Sequence, residues 1–315
     1  MTLIERNYYN PMPLKRGIDQ PLIDSFVSYI DGSEKTIDTY KKAIRQFYFY
    51  LQRAGITQPE REDVIRYRDV LSIDHKATTV QAYMIAVRQF FRWTASTGLY
   101  PNIAEHIKCK KISKDPKKDY LNTAAITAIL EQINTDTLQG MRDYAVLVLM
   151  LTCGLRDIEV VRADVEDLRM IGDSTVLFVK GKGRDDKDEY IKVPEETEKA
   201  IRAYLKKRGA KEEQPLFTSL SNNSSGERLT TRSVSRIVKN AMRKAGYDSS
   251  RLTAHSLRHT AITLSLKAGE SLQEVQQFAR HSNINTTLIY AHNLEKEKNG
   301  CSNAIASAIF RKEEK

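Results

Sequence analysis

The chain has little cysteine: three residues in 315, Cys109, Cys153 and Cys301, all far apart in the sequence. That excludes a disulfide framework and any zinc pattern of paired cysteines, and a sparse odd count fits a reducing compartment. The start, Met1-Thr-Leu-Ile-Glu-Arg6, lacks the charged-then-apolar pattern of a secretory signal. The longest apolar run, 144–151, falls far short of the ~20 residues that a membrane span needs. Metal-ligand spacing is missing, and so is a glycine-rich loop opening a helix, the usual phosphate cradle. These absences lead us to expect a cytoplasmic protein with no membrane, metal or cofactor.

What the chain does have is positive charge. It carries 50 Lys and Arg against 40 Asp and Glu, a net charge of +10 and a pI of about 9.3. Such a balance attracts polyanions and speeds encounter with them, so nucleic acid is the leading partner. Apolar residues make up 41% of the chain, enough for real cores, and its length favours two domains.

Residues 1–20, with Pro11, Pro13 and Gly17, read as a loose leader. From 21 to 105, apolar residues recur every three or four positions (Leu22, Ile23, Phe26; Ile37, Tyr40, Ile44, Phe47; Val80, Met84, Val87, Phe91), which predicts an all-helical domain. Ser33 is placed to cap its second helix. The polar faces carry Lys35, Lys41, Lys42, Arg45, Lys76, Arg88 and Arg92. For any one of these a solvated face is the simpler account; together they outline a surface for DNA phosphates. Residues 106–119 then hold six lysines, among them Lys108, Lys110, Lys111 and Lys114, and a proline at 116. This is a basic linker, either merely solvated or laid along a duplex. The second account is preferred because a like-charged run repels itself without a counter-charge.

A second domain is expected over 120–300. Thr123 is placed to cap its first helix, through 133, and 138–153 is apolar nearly all round, so that helix is buried. Arg156 follows at the mouth of this core helix, with Glu159 three positions on to orient it. Two short β-type runs, 176–179 and 190–193, flank Lys180-Gly-Lys182-Gly and predict a hairpin. Lys182 between its glycines is either a mobile cation or ordinary turn chemistry. A helix over 195–207 follows, and Thr231 is placed to cap a basic helix with Arg232, Arg236 and Lys239, again candidates for DNA contact. Thr253 opens the stretch that carries the chemistry. His255 and Arg258 are three apart on one helix, where a guanidinium can fork two bonds to a phosphate and an imidazole can move a proton. His259 reads as a packing or capping residue. Ser271-Leu-Gln-Glu274 is a capping box opening a helix that ends at His281, and Tyr290 sits on a short helix over 283–292. The tail, 301–315, contains Ala304, Ile305, Ala308, Ile309 and Phe310 at helical spacing.

In order and in local sequence these residues resemble the tyrosine site-specific recombinases, the phage integrase family, and in particular its simpler two-domain Xer-like and transposon integrase members. The matching motifs are Thr152-Cys-Gly-Leu-Arg156-Asp-Ile-Glu159, Gly181-Lys182-Gly183, His255-Ser-Leu-Arg258-His259-Thr260 and His281-Ser-x-Ile-x-Thr-Thr-x-x-Tyr290. The resemblance is strong over 120–292 and covers 20–105 only as a helical segment of the right length. One departure stands out: the family often has Leu-Gly before the histidine, where this chain has Ala279-Arg280.

The resemblance implies a mainly α fold with a small β-hairpin or sheet in the catalytic domain, and two domains clamping a duplex. It implies Tyr290 as nucleophile, Arg156 and Arg258 on the non-bridging phosphate oxygens, His281 assisting them, His255 as general base and Lys182 as general acid, with Lys180 the alternative. It further implies paired core sites in double-stranded DNA, a homo-tetramer working through a Holliday junction, a C-terminal helix over 302–311 docking on a neighbouring protomer, and an accessory directionality factor. With only some 20 residues before the first helix, no extra N-terminal arm domain is expected. Three rival readings share parts of this pattern: a non-catalytic DNA-binding protein with a recombinase-like domain, a type IB topoisomerase, and a phosphotransferase acting on something other than DNA.

Overall fold

A computed structural model describes residues 17–111, 119–181 and 186–310. The chain divides into two compact units between residues 113 and 114.

The first unit is four helices: α1 (Gln20–Tyr29), α2 (Glu34–Arg53), α3 (Arg61–Asp74) and α4 (Ala77–Ser96). Their starts follow local chemistry. Asp19 accepts the amide of Leu22 and Ser33 that of Thr36, so orphan N–H groups of the first turns are satisfied. The apolar stripes meet in an aromatic core where Phe26 packs edge-on to Phe90 at 5.3 Å, and Phe47 to Phe91 at 5.8 Å. Each such buried ring contributes about 2 kcal/mol of hydrophobic stabilisation.

Two expectations for this unit need correcting. The last residues of the supposed leader belong to the fold: Ile18 is buried and its amide donates to the Thr57 carbonyl at 3.3 Å. The supposed linker also stays on the unit at its start, because Ile107 joins the core and Cys109 packs against it. Arginines hold this stretch by its carbonyls, Arg88 donating to Ile107 at 3.4 Å and Arg68 to Lys108 at 2.8 Å, with Arg61 on the Glu105 carbonyl just before it.

The second unit contains α5 (Thr123–Glu131), α6 (Leu138–Thr152), α7 (Asp157–Arg162), β1 (Leu168–Ile171), β2 (Ser174–Val179), β3 (Glu189–Lys192), α8 (Glu195–Arg208), α9 (Thr231–Lys244), α10 (Ala254–Lys267), α11 (Leu272–Ala279), α12 (Ile284–Lys298) and α13 (Cys301–Phe310). The apolar helix α6 is its axis and packs on α8, α9 and α10. The hairpin is in fact an antiparallel three-stranded sheet in the order β1-β2-β3, with Leu168 opposite Leu177 and Phe178 opposite Tyr190.

Two helix caps lie one residue earlier than the sequence suggested. Asn122, not Thr123, accepts the amide of Ala125, and Thr230, not Thr231, accepts that of Ser233. The capping box of Ser271 and Glu274 forms. α12 is longer than expected and runs past Tyr290 to Lys298. Its far end is tied to the entry of the unit: the Tyr120 hydroxyl donates to Glu297 at 2.8 Å, and the Lys267 ammonium lies 4.8 Å over the Tyr120 ring. Every residue of α13 is exposed, including Ile305, Ile309 and Phe310. Among the described residues no helix is long and apolar enough to cross a membrane.

Candidate active site

The site starts at a glycine. Gly154, between α6 and α7, has φ +58°, and a Cβ there would lie 2.8 Å from the Phe278 ring. Only glycine fits both the left-handed backbone and the close approach of α11. The tight turn sets Arg156 at the N-cap of α7. The Arg156 amide donates to Glu159 Oε2 at 2.9 Å and its Nη1 to Oε1 at 2.7 Å, while Nη2 reaches the Arg280 carbonyl at 3.3 Å. Glu159 is fully buried. Burial works against its ionisation, but the Arg280 charge, the Arg156 amide and the Arg156 guanidinium outweigh it and hold the carboxyl below its usual range.

Arg258, on α10, is 1% exposed. Its Nη1 donates to the Gly154 carbonyl at 2.5 Å and its Nη2 to the Ala279 carbonyl, so one guanidinium joins the α6–α7 turn to the end of α11. Burial first, then the Arg156 and Arg280 charges, push it below the ordinary guanidinium range.

His281 comes just past Arg280, the residue that caps the end of α11. Its Nδ1 pairs with the buried Thr287 hydroxyl at 2.9 Å. With Thr287 as donor, the ring carries its proton on Nε2. Burial, then the charges of Arg258, Arg156 and Arg280, lower its pKa to about 4, so it is neutral at pH 7.

Tyr290, on α12, packs with Ile262, Val275 and Ala279 and is 8% exposed. Its ring is 6.2 Å from that of His281 and 4.8 Å from that of His259. Burial raises the pKa of its phenol, and the charges of Arg258 and Arg156 pull it back only in part. His255 and Arg258 part company despite their spacing: His255 is exposed and its ring lies 5.0 Å from His259. His259 therefore stands between His255 and Tyr290. It is buried, and desolvation followed by the His255 and Arg258 charges lowers its pKa to about 4.

Four elements thus bring Arg156, Arg258, His281 and Tyr290 together, with His255 one ring away. Beside them opens a cleft of 910 Å³ whose lining includes Arg156, Gly181, Tyr190, Gln276, Arg280 and His281. Lys182 lies outside the described residues, and Lys180 is half-buried just beyond β2. Both flanks of 182–185 are pinned. Arg162 donates to the Gly181 carbonyl at 3.0 Å, and Lys187 bridges Asp164 and Asp167 at 2.7 and 2.5 Å. Thr287, Arg162 and Lys187 went unremarked in the sequence, although Thr287 stands within the His281-to-Tyr290 motif.

The basic residues fall into groups within each unit. Lys35, Lys42 and Arg45 are exposed on α2, with Lys41 half-buried; Arg88 is turned to the carbonyls of Met84 and Ile107. Lys108, Lys110 and Lys111 are exposed, and Lys114 lies outside the described residues. Arg232 and Arg236 are exposed on α9, whereas Lys239 holds Asp248 and the Ser249 carbonyl. Among the described residues no group of three His, Cys, Asp or Glu is placed to hold a metal ion.

Comparison with known proteins adds an independent line. Residues 119–297 match the phage integrase family, and residues 23–98 match the phage integrase N-terminal SAM-like domain. Tyrosine recombinase XerD of Listeria monocytogenes serotype 4b is 28% identical over 283 residues, covering 86% of this chain and 93% of the relative. Tyrosine recombinase XerC of Corynebacterium glutamicum is 30% identical over 292 residues, covering 88% and 90%. In fold, the chain is similar to the XerH site-specific recombinase bound to palindromic difH substrate in a post-cleavage complex, with a TM-score of 0.70, 22% identity and coverage of 85% and 79%. It is likewise similar to the Tn1549 transposon integrase in complex with transposon right end DNA, with a TM-score of 0.67, 19% identity and coverage of 86% and 93%.

Proposed function

The chain belongs to the phage integrase family and is a tyrosine recombinase, and we propose that it cuts and rejoins double-stranded DNA at paired core sites through a covalent 3′-phosphotyrosyl link at Tyr290. The phenol oxygen attacks the scissile phosphorus, a P–O bond to the phenol forms, and the bond to the 5′-oxygen breaks. His255 takes the phenol proton, with neutral His259 between the two rings. Lys182 gives a proton to the departing 5′-oxygen. Arg156 and Arg258 hold the non-bridging oxygens as charge builds on them, and His281 donates a further hydrogen bond. The phosphotyrosyl bond conserves the energy of the broken diester, so the reverse attack by a 5′-hydroxyl reseals the strand without ATP.

The observation that carries this reading is the meeting of Arg156, Arg258 and His281 with one tyrosine, whose phenol pKa is raised by burial while the Arg258 and Arg156 charges pull it toward ionisation. The same tyrosine is 8% exposed and is not among the residues that line the cleft. It must therefore be released to act, which fits control by assembly. In this reading four protomers exchange strands in two steps through a Holliday junction, and α13 docks its exposed Ile305, Ile309 and Phe310 on a neighbour. The exposed bases of α2, of 108–111 and of α9 contact phosphates, and an accessory directionality factor can bias the outcome.

The test is Tyr290→Phe on nicked suicide duplexes. Covalent adducts should vanish while duplex binding persists; adducts that survive would sink the role of Tyr290. Relaxation of supercoils by a monomer, with no recombinant product from paired sites, would instead favour a type IB topoisomerase.

A further inference from the structure

Arg280 holds a backbone conformation that favours glycine. Its φ of 51° and ψ of 49° lie in the left-handed region, and among the described residues only His106 is another non-glycine with positive φ. A side chain is disfavoured there, so something must hold it. The holding contacts all point inward. Arg280 donates through Nη1 to the Phe278 carbonyl at 2.8 Å, and through Nη2 to the Gly154 carbonyl at 3.2 Å and Glu159 Oε2 at 2.8 Å. Its side chain is 7% exposed, and its Nε is buried with no partner. A guanidinium accepted in a strained backbone with one donor unsatisfied is not there for packing alone.

Its partner explains the placement. Glu159 is the buried carboxylate that orients Arg156, and one negative charge cancels one of the two arginines meant for the phosphate. The Gly154 carbonyl accepts from both Arg280 and Arg258, which places the third guanidinium beside the other two. We propose that Arg280 is a positioning residue that neutralises Glu159, so that Arg156 stays oriented by the carboxylate while its charge remains available to the scissile phosphate. Without Arg280, the Arg156–Arg258–Glu159 set faces the phosphate with one net positive charge; with it, the set carries two, against a transition state that gains negative charge.

The inference rests on the recombinase reading, and the experiment separates the two. Duplexes of random sequence, nicked near the centre, are first selected by covalent capture on the wild-type protein. Single-turnover adduct formation is then measured on one selected duplex for wild type, Arg280→Gly, Arg280→Lys, Glu159→Gln and Arg280→Gly/Glu159→Gln. Arg280→Gly relieves the backbone but removes a buried partner of Glu159, so it should lose stability; measured at a temperature where calorimetry shows it folded, it should bind the duplex and cleave roughly tenfold more slowly, the effect of one neighbouring charge at low effective dielectric. Arg280→Lys should recover part of the rate. Adding Glu159→Gln to Arg280→Gly should recover more, because the uncompensated charge is gone. Wild-type rates for Arg280→Gly, or a slow Arg280→Gly that Glu159→Gln leaves as slow or makes slower, would overturn the proposal. Failure of wild type to capture any duplex would overturn the recombinase reading and this one with it.

Discussion

Replacing Glu159 by alanine should unfold the second unit more readily by about 4 kcal/mol. Glu159 is fully buried between Arg156, 28% exposed, and Arg280, 7% exposed. Breaking a buried pair by removing one partner costs about 3–5 kcal/mol, because the other charge is left unpaired. Here two charges lose their partner. Arg156 can turn partly to water, which places its share at the lower end, but Arg280 has no such route. The carboxylate also accepts the Arg156 amide at the start of α7, and losing such a cap costs about 1 kcal/mol. Glu159→Gln keeps an acceptor in the same place and loses only the charge, so it should cost about half as much, near 2 kcal/mol. For a domain of this size each kcal/mol lowers Tm by about 2–4 °C, so alanine should shift it by roughly 8–16 °C. Calorimetry of the full chain reads this directly, and the first unit, which does not contain Glu159, serves as the internal control. A loss under about 1 kcal/mol for alanine would refute the reasoning. It would mean that Arg156 and Arg280 are not held by this carboxylate in solution.

Three further outcomes are expected. His259 and His281 titrate at about 4 in the fold against an ordinary 6.5. The unfolded chain therefore binds more protons between these values: stability is full above about pH 6.5 and declines as pH falls toward 4, by about 1 kcal/mol per unit from His259 alone. His259→Gln should flatten the decline seen in urea titrations at pH 4.5 to 7, and an unchanged slope would remove His259 from the account. Lys182→Ala should slow cleavage by a hundredfold or more, and a duplex with a 5′-bridging phosphorothiolate, which leaves without an acid, should restore the rate; absence of rescue moves the acid elsewhere, with Lys180 next to be tried. Ile305→Asp with Ile309→Asp should leave the unfolding free energy within about 0.5 kcal/mol of wild type, as exposed positions do, yet reduce any tetramer on DNA seen by analytical ultracentrifugation; an unaltered tetramer would show that α13 does not hold protomers together.

The helices were readable because apolar residues recur at one period and glycines stop them. The two misplaced caps arise where two cap-capable residues are adjacent, Asn122-Thr123 and Thr230-Thr231, so that only the three-dimensional path decides which side chain reaches back. β1 was illegible for a different reason. Leu168-Arg-Met-Ile has no buried face of its own, its residues being half-buried or exposed, so no alternation marks it; its pairing with β2 across the turn at Gly172 makes it a strand. Arg88 looked like any helix-face cation, and its hold on the Ile107 carbonyl depends on a chain segment nineteen residues away. In the site, sequence order identified the residues that meet but not how they are enclosed. The burial of Tyr290, and the place of His259 between it and His255, depend on how α10 and α12 pack.

One contact links chain entry to chemistry. Tyr120 stands just after 112–118, the stretch that leads in from the first unit, and its hydroxyl is held by Glu297 on the same helix as Tyr290. α12 is a stiff rod of 15 residues, so its two ends move as one body. A displacement of Tyr120 therefore acts on the rod that carries Tyr290. Both Glu297 oxygens and the Lys267 ammonium share that hold, so a displacement of Tyr120 would load α12 through a small charged cluster rather than through packing.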